Sequence, residues 1–277
     1  MTVRRWRQEV MGTVVTFDVV TGQPAEAAAP AVEAAMAWLR WVDVTFSPYR
    51  VDSAVCRIDR GELALADAPP EVGQVLDLCD EVRTTTQGYF DARAGGPLDP
   101  SGVVKGWAVE RASDLLVGAG WGDHAVDGGG DVRLRGWGPG PGGWRVAVTH
   151  PSRGDAFCAV LGLATGGAVA TSGIYERGLH VMDPHRGVPA TDLAAVTVVG
   201  PELVHSDAFA TAALAMGHEA PDWLAGLDDH EALVIDAAGR GWETPGFGRY
   251  RLDAAMRSPS PVTGRARPRE RPGVPAR

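Results

Sequence analysis

The sequence predicts an α+β fold. Helical spacing of apolar residues dominates as far as Gly120, and short β-branched runs cut by Gly and Pro dominate after it. The two textures do not alternate as strand–helix–strand units. A doubly wound parallel sheet is therefore disfavoured, and helices packed on a separately built sheet are expected.

The elements follow in chain order. Residues 11–20, Met-Gly-Thr-Val-Val-Thr-Phe-Asp-Val-Val, are β-branched and read as a strand, ended by Gly22 and Pro24. From Ala25 to about Val44 the apolar positions Val32, Ala35, Met36, Leu39 and Val42 fall at helical spacing. Phe46-Ser47-Pro48-Tyr49 turns the chain. A second helix is predicted over Pro70–Thr86, with Val72, Val75, Leu76, Leu78, Cys79 and Val82 as its apolar side. A third runs from Gly106, just after Lys105, to about Ala119. Strands are predicted at 132–134, 144–148, 159–163, 168–170, 181–182, 195–199 and 232–235, with tight turns between them. A short helix over Asp207–Met216 separates the last two. Residues 258–277 hold five Arg, one Glu, and little to bury. They are expected to be a disordered tail behind a domain of residues 1–257.

Composition bounds the function. The chain has 277 residues, 45% apolar and 22% charged, which is the profile of a globular protein able to bury its own core. Its net charge of -9 places a general nucleic-acid binder behind other classes. No apolar stretch reaches the roughly 18 residues of a membrane span. The basic start, Met1 to Arg7, is followed by no apolar region of an export signal, so a cytoplasmic location is expected. Cys56, Cys79 and Cys158 form neither a metal motif nor a disulfide framework. Lys105 is the only lysine, and there is no asparagine. A lysine kept in so arginine-rich a chain suggests a role that a guanidinium does not fill.

Four constellations carry chemistry. Gly88-Tyr89-Phe90-Asp91 leads to Gly95-Gly96-Pro97-Leu98-Asp99-Pro100-Ser101-Gly102-Val103-Val104-Lys105-Gly106. Glycines, a serine and a lysine at the mouth of a helix suit a phosphate, although from these residues alone a glycine-rich turn with an N-capping Ser or Asp is the stronger reading. Asp127-Gly128-Gly129-Gly130-Asp131 permits a close approach of backbone or ligand, or a tight hairpin turn. Thr171-Ser172-Gly173-Ile174-Tyr175-Glu176-Arg177 and His180-Val181-Met182-Asp183 gather hydroxyls, a tyrosine, a histidine and an acid. The GxSxG elbow of a serine hydrolase is missing there and elsewhere. Asp207 and Thr211 stand four apart, so on a helix their oxygens share one face. That hard-oxygen pair suits Mg²⁺ shared with a phosphate, or else Asp207 simply caps the helix.

Taken together, these motifs resemble the ApbE family, the FAD:protein FMN transferases. The resemblance runs from Met11-Gly12-Thr13 through Phe46-Ser47-Pro48-Tyr49, Gly88–Asp91, Leu98–Gly106, Gly129–Asp131, Thr171–Gly173 and His180 with Asp183-Pro184 to Asp207 and Thr211, all in family order. It implies a single compact α+β unit with a mixed or antiparallel sheet, flanking helices and a central FAD cleft. It implies that Met11, Tyr49, Tyr89, Phe90, Asp91, Asp99, Lys105, Ser172, Tyr175 and His180 line the FAD site. It places Mg²⁺ on the Gly102 carbonyl and the side chains of Asp207 and Thr211, with His180 and Lys105 as the catalytic pair. The reaction it implies moves FMN from FAD to a Ser or Thr hydroxyl of an acceptor protein and releases AMP. Hydrolysis of FAD to FMN and AMP, or FAD binding without catalysis, would use the same residues. Many family members are exported lipoproteins, unlike the expectation here. The family also often has Asn near the Gly-Gly-Asp turn, where this chain has Asp127 and Gly128.

Overall fold

An eight-stranded antiparallel sheet forms the middle layer of the molecule. The computed structural model describes residues 1–174, 178 and 181–252. The sheet strands are β1 (Thr2–Val10), β2 (Thr13–Thr21), β3 (His124–Gly128), β4 (Val132–Arg135), β7 (Gly166–Gly173), β10 (Leu193–Gly200), β11 (Glu231–Asp236) and β12 (Gly241–Glu243). Strands β5 (Trp144–His150) and β6 (Arg153–Leu163) form a separate hairpin, and β8 (Met182–Asp183) pairs with β9 (Val188–Pro189).

Both faces of the sheet are covered, and the strand period of two assigns each residue to a layer. Val15, Phe17 and Val19 of β2, Ala168 and Ala170 of β7, and Val196 and Val198 of β10 face the helices. Val20, Val169 and Val199, their neighbours in the chain, face the β5–β6 hairpin with Trp144, Leu161 and Leu163. Fully burying one such side chain contributes roughly 2 kcal/mol.

The helical layer contains α1 (Ala25–Phe46), α2 (Ala54–Asp59), α3 (Pro70–Thr85), α4 (Ser101–Gly118), α5 (Leu203–Met216) and α6 (Ala220–Leu224). Helix α1 is seated on α4 by an aromatic cluster. The Trp38 ring lies 5.1 Å from Trp107, Phe46 lies 5.4 Å from Trp107, and Trp38 Nε1 donates to the Ala108 carbonyl at 3.0 Å. These contacts fix the height of α4 over the sheet.

The sequence reading of α1 and α3 matches the observed bounds closely, and two other helices start earlier than predicted. Helix α4 begins at Ser101, so Lys105 lies inside it and not ahead of it. Gly102 and Gly106 lower the helix propensity of those turns and hide them from a sequence reading. Helix α5 begins at Leu203, which puts Asp207 in its second turn and removes the capping role. Its first N–H, on Leu203, donates to Glu110 Oε2 of α4 at 2.7 Å. Strand β1 escapes the sequence reading altogether. It is an edge strand carrying Arg4, Arg5, Arg7 and Glu9, the charges with which edges resist aggregation, and these mask its alternation. The tail from residue 253 lies outside the described residues.

Candidate active site

Two glycines let α4 and α5 touch. A Cβ on Gly106 would stand 2.8 Å from the Leu203 carbonyl oxygen and 2.9 Å from Asp207 Cβ. A Cβ on Gly102, one turn earlier, would stand 2.9 Å from the Phe90 ring and 3.4 Å from Thr211 Cγ2. The glycine pair thus lays Gly102 alongside Thr211 and Gly106 alongside Asp207. The Gly106 N–H, whose regular helical acceptor is the Gly102 carbonyl, donates to Asp207 Oδ2 at 2.9 Å.

Lys105 sits between two buried carboxylates. Its ammonium pairs with Asp131 Oδ2 and stands 3.5 Å from Asp207 Oδ1. Asp131 is 1% exposed and Asp207 2%, so each would be costly to leave unpaired. Burial pushes the Asp207 carboxyl well above the usual carboxylate range. Lys105 opposes that rise and Asp131 adds to it. The cluster holds one ammonium against two carboxylates.

Hydroxyls complete the cluster. Asp131 Oδ1 accepts the Thr171 N–H at 2.8 Å, which ties the β3–β4 turn to β7. The next residue, Ser172, has its Oγ 3.0 Å from Thr211 Oγ1. Thr171 Oγ1 lies 2.9 Å from Thr197 Oγ1 on β10. Lys105, Ser172, Asp207 and Thr211, separated by up to 106 residues in the chain, share one site.

Two tight turns close on one another nearby. Met11 and Gly12 both have positive φ, 54° and 69°, and form the two-residue turn between β1 and β2. Gly129, with φ 74°, packs directly against Thr13, where any Cβ would collide with the threonine hydroxyl. The hairpin reading of the triple glycine therefore holds, and the turn also delivers Asp131 to Lys105. Asp127 Oδ1 accepts the Gly130 N–H at 2.7 Å, a bond that an asparagine oxygen would accept equally well. Burial raises the Asp127 carboxyl above its ordinary range.

The remaining expected residues are spread around this centre. Phe90 is buried against Gly102. Tyr89 donates its hydroxyl to Glu219 Oε2 at 3.1 Å, and its ring lies 4.3 Å from that of His185. Tyr89 and Glu219 border a cavity of about 200 Å³ that also reaches Asp183, Arg186 and Met216. Asp91 pairs with Arg83 at 3.2 Å. Asp99 Oδ1 accepts the Ser101 N–H at 2.9 Å from just ahead of the helix, while the N-cap itself is Pro100 and not the Ser or Asp read from the sequence. Tyr49, in the turn after α1, is 92% exposed. His180 and Tyr175 lie outside the described residues. A larger cavity of about 720 Å³ lies between β1, β2 and the start of β5, bordered by Val3, Arg5, Asp18 and Trp144. It is on the hairpin side of the sheet and contains none of the expected site residues.

Three features of the site come only from the tertiary structure. Asp131 reads in the sequence as the end of a turn, and its pairing with Lys105 spans two elements. His185 is not among the residues singled out from the sequence, and it is held in its turn by Asp183 Oδ1 accepting its N–H at 2.9 Å. Glu110 has no sequence signal, yet it binds Arg133 of β4 and the first N–H of α5. The Cys79 thiol is held protonated, since burial pushes it up to about 12.

The model of the ApbE family matches residues 11–97 and 92–234. The chain belongs to the ApbE family. Among curated ApbE relatives, the FAD:protein FMN transferase of Rhodobacter capsulatus is 33% identical over 221 residues, covering 72% of this chain and 41% of that protein. The FAD:protein FMN transferase of Vibrio cholerae serotype O1 is 31% identical over 147 residues, covering 50% of this chain and 44% of that protein. The chain thus spans less than half the length of these two relatives. The ApbE fold is shared with the crystal structure of the ApbE protein from Thermotoga maritima, with a TM-score of 0.81 and 22% identity over 90% of this chain and 99% of that one. The flavin transferase ApbE of Vibrio cholerae gives a TM-score of 0.75 at 20% identity, over 90% of this chain and 100% of that one. Among the described residues, no helix is long and apolar enough to cross a membrane.

Proposed function

We propose that this ApbE-family protein is an FAD:protein FMN transferase that uses a divalent cation, with Mg²⁺ the natural choice, to move FMN onto a Ser or Thr hydroxyl of an acceptor protein. The observation that carries this reading is the meeting of Gly102, Lys105, Asp207 and Thr211 at one helix crossing. The names of the curated relatives support the same activity.

The donor set fits a hard cation. It consists of one carboxylate, one hydroxyl and one carbonyl oxygen, and the cluster around it holds two buried carboxylates, Asp207 and Asp131, against one ammonium. Among the described residues no cluster of three or more His, Cys, Asp or Glu could hold a metal by itself. That suits an ion shared between protein and substrate phosphates, as Mg²⁺ commonly is. Asp207, Thr211 and the Gly102 carbonyl would hold it. When bound, it supplies positive charge that neutralises the pyrophosphate.

The acceptor hydroxyl oxygen forms a bond to the phosphorus of the FMN half of FAD. The bond from that phosphorus to the bridging oxygen breaks, and AMP leaves with that oxygen. The hydroxyl proton must go to a base. His180 is the candidate, because an unperturbed imidazole titrates near neutral pH, whereas the Asp207 carboxylate would be committed to the cation and poorly basic. Lys105 contributes a fixed positive charge beside the phosphates. Met11, Tyr49, Tyr89, Phe90, Asp91, Asp99, Ser172 and Tyr175 are the proposed FAD contacts.

Incubation with FAD, Mg²⁺ and a protein bearing a flavinylation site tests the reading. A covalent fluorescent band is expected. Free FMN without that band would assign hydrolysis to the site, and neither product would leave a flavin-binding protein. Asp207→Asn keeps an acceptor for the Gly106 N–H and removes the charge. It is expected to retain the parental melting temperature while turnover falls by roughly 100-fold or more. Turnover close to the parent's would remove Asp207 from the site.

A further inference from the structure

Asp131 is the one buried carboxylate of the cluster that the proposed function leaves without a task. Its two oxygens are divided. Oδ1 accepts the Thr171 N–H at 2.8 Å, and Oδ2 holds the Lys105 ammonium. The same ammonium stands 3.5 Å from Asp207 Oδ1. Lys105 is on α4, Asp131 ends the β3–β4 turn, and Thr171 is on β7, so the carboxylate joins three elements. The turn has no slack with which to withdraw it: Gly128 N–H donates to the Asp131 carbonyl at 2.8 Å, and Gly129 is wedged on Thr13.

An ammonium beside a lone Asp207 would compete with any cation for that carboxylate. A second carboxylate that pairs with the ammonium more closely than Asp207 does changes the balance, because the lysine is neutralised without occupying Asp207 fully. From this geometry we propose that Asp131 is a positioning residue that holds Lys105 aside and keeps Asp207 open to a divalent cation. The proposal rests on the cation reading of the site given above. Asp131 itself touches neither cation nor substrate in it and acts through Lys105. Through Thr171 it also fixes the start of the segment that presents Ser172 to Thr211.

The test separates charge from structure. Asp131→Asn retains an oxygen for the Thr171 N–H and loses the charge that holds Lys105, whereas Asp131→Ala loses both. FAD binding, read by flavin fluorescence, is measured at rising Mg²⁺ concentrations, and melting is followed by circular dichroism. Asp131→Asn is expected to melt like the parent and to need roughly tenfold more Mg²⁺ for half-maximal FAD binding. Asp131→Ala is expected to share that shift and to melt at a lower temperature. The effect must run through Lys105, so adding Asp131→Asn to Lys105→Met should change the Mg²⁺ requirement no further. Lys105→Gln replaces Lys105→Met in the cycle if the latter does not fold. An Asp131→Asn protein with the parental Mg²⁺ requirement would overturn the proposal, as would additive effects in the double variant. A parental protein whose FAD binding ignores Mg²⁺ altogether would instead bring down the cation reading, and this inference with it.

Discussion

His124 shows how a single buried side chain sets a pH response. It is 0% exposed, with Nδ1 2.6 Å from the Trp121 carbonyl and Nε2 2.7 Å from Ser113 Oγ. The carbonyl can only accept, so Nδ1 carries the proton and Nε2 accepts from the serine hydroxyl. Burial pushes the imidazole down to about 4 from 6.5. The unfolded chain therefore binds a proton first as the pH falls, and stability is lost between pH 6.5 and 4. The loss from this residue is about 3 kcal/mol at most. Denaturant titrations across that range should give a slope that flattens in His124→Gln. An unchanged slope would assign the acid sensitivity to other groups. Lys105 is the opposite case, a residue whose importance is visible in composition. Being the one lysine marks it, while its two carboxylate partners come from β4's turn and from α5.

The elements depend on close approach as much as on propensity. Gly106 is a poor helix former in the second turn of α4, but a methyl group there would meet backbone of α5 at 2.8 Å. Overpacking of this kind typically costs about 1–3 kcal/mol. Gly106→Ala is therefore expected to lower stability by that amount and to disturb the Asp207 contact. Gly118, at the other end of the same helix, has open space around it. Gly118→Ala should leave stability unchanged or raise it by up to about 1 kcal/mol. Thermal melts of the two variants check the contrast, and a tolerated Gly106→Ala would show that the crossing can relax. The early start of α5 follows the same logic. Its first N–H is satisfied by Glu110, which is 93 residues away, so no local cap marks the boundary in the sequence.

At the scale of the molecule, one sheet serves two cores. Strands β2, β3, β4, β7, β10 and β11 present residues to the hairpin layer, and all but β4 also contribute buried residues to the core under the helices. Losing either layer would expose the sheet residues beneath it, which couples their unfolding. Urea unfolding followed by far-ultraviolet circular dichroism and by tryptophan fluorescence should give coincident midpoints. The fluorescence probes both sides, since Trp38, Trp41 and Trp107 belong to the helical face and Trp144 to the hairpin face. An earlier separate transition would mean that the β5–β6 hairpin opens independently.

The sequence by itself determined the α+β class, the positions of α1 and α3, most strands, and the set of motifs that resembles the ApbE family. These are legible because periodicity, turn residues and short motifs are local properties of the chain. The edge strand β1, the true starts of α4 and α5, and the pairing of Lys105 with Asp131 and Asp207 were decided only by the tertiary structure. All but the start of α4 depend on a partner distant in the chain: Thr2 on Thr21, Leu203 on Glu110, Lys105 on Asp131 and Asp207. A charge that looks like surface in a one-dimensional reading becomes part of a buried site when a glycine pair lets two helices meet. That contact is a property of packing, which no local pattern encodes.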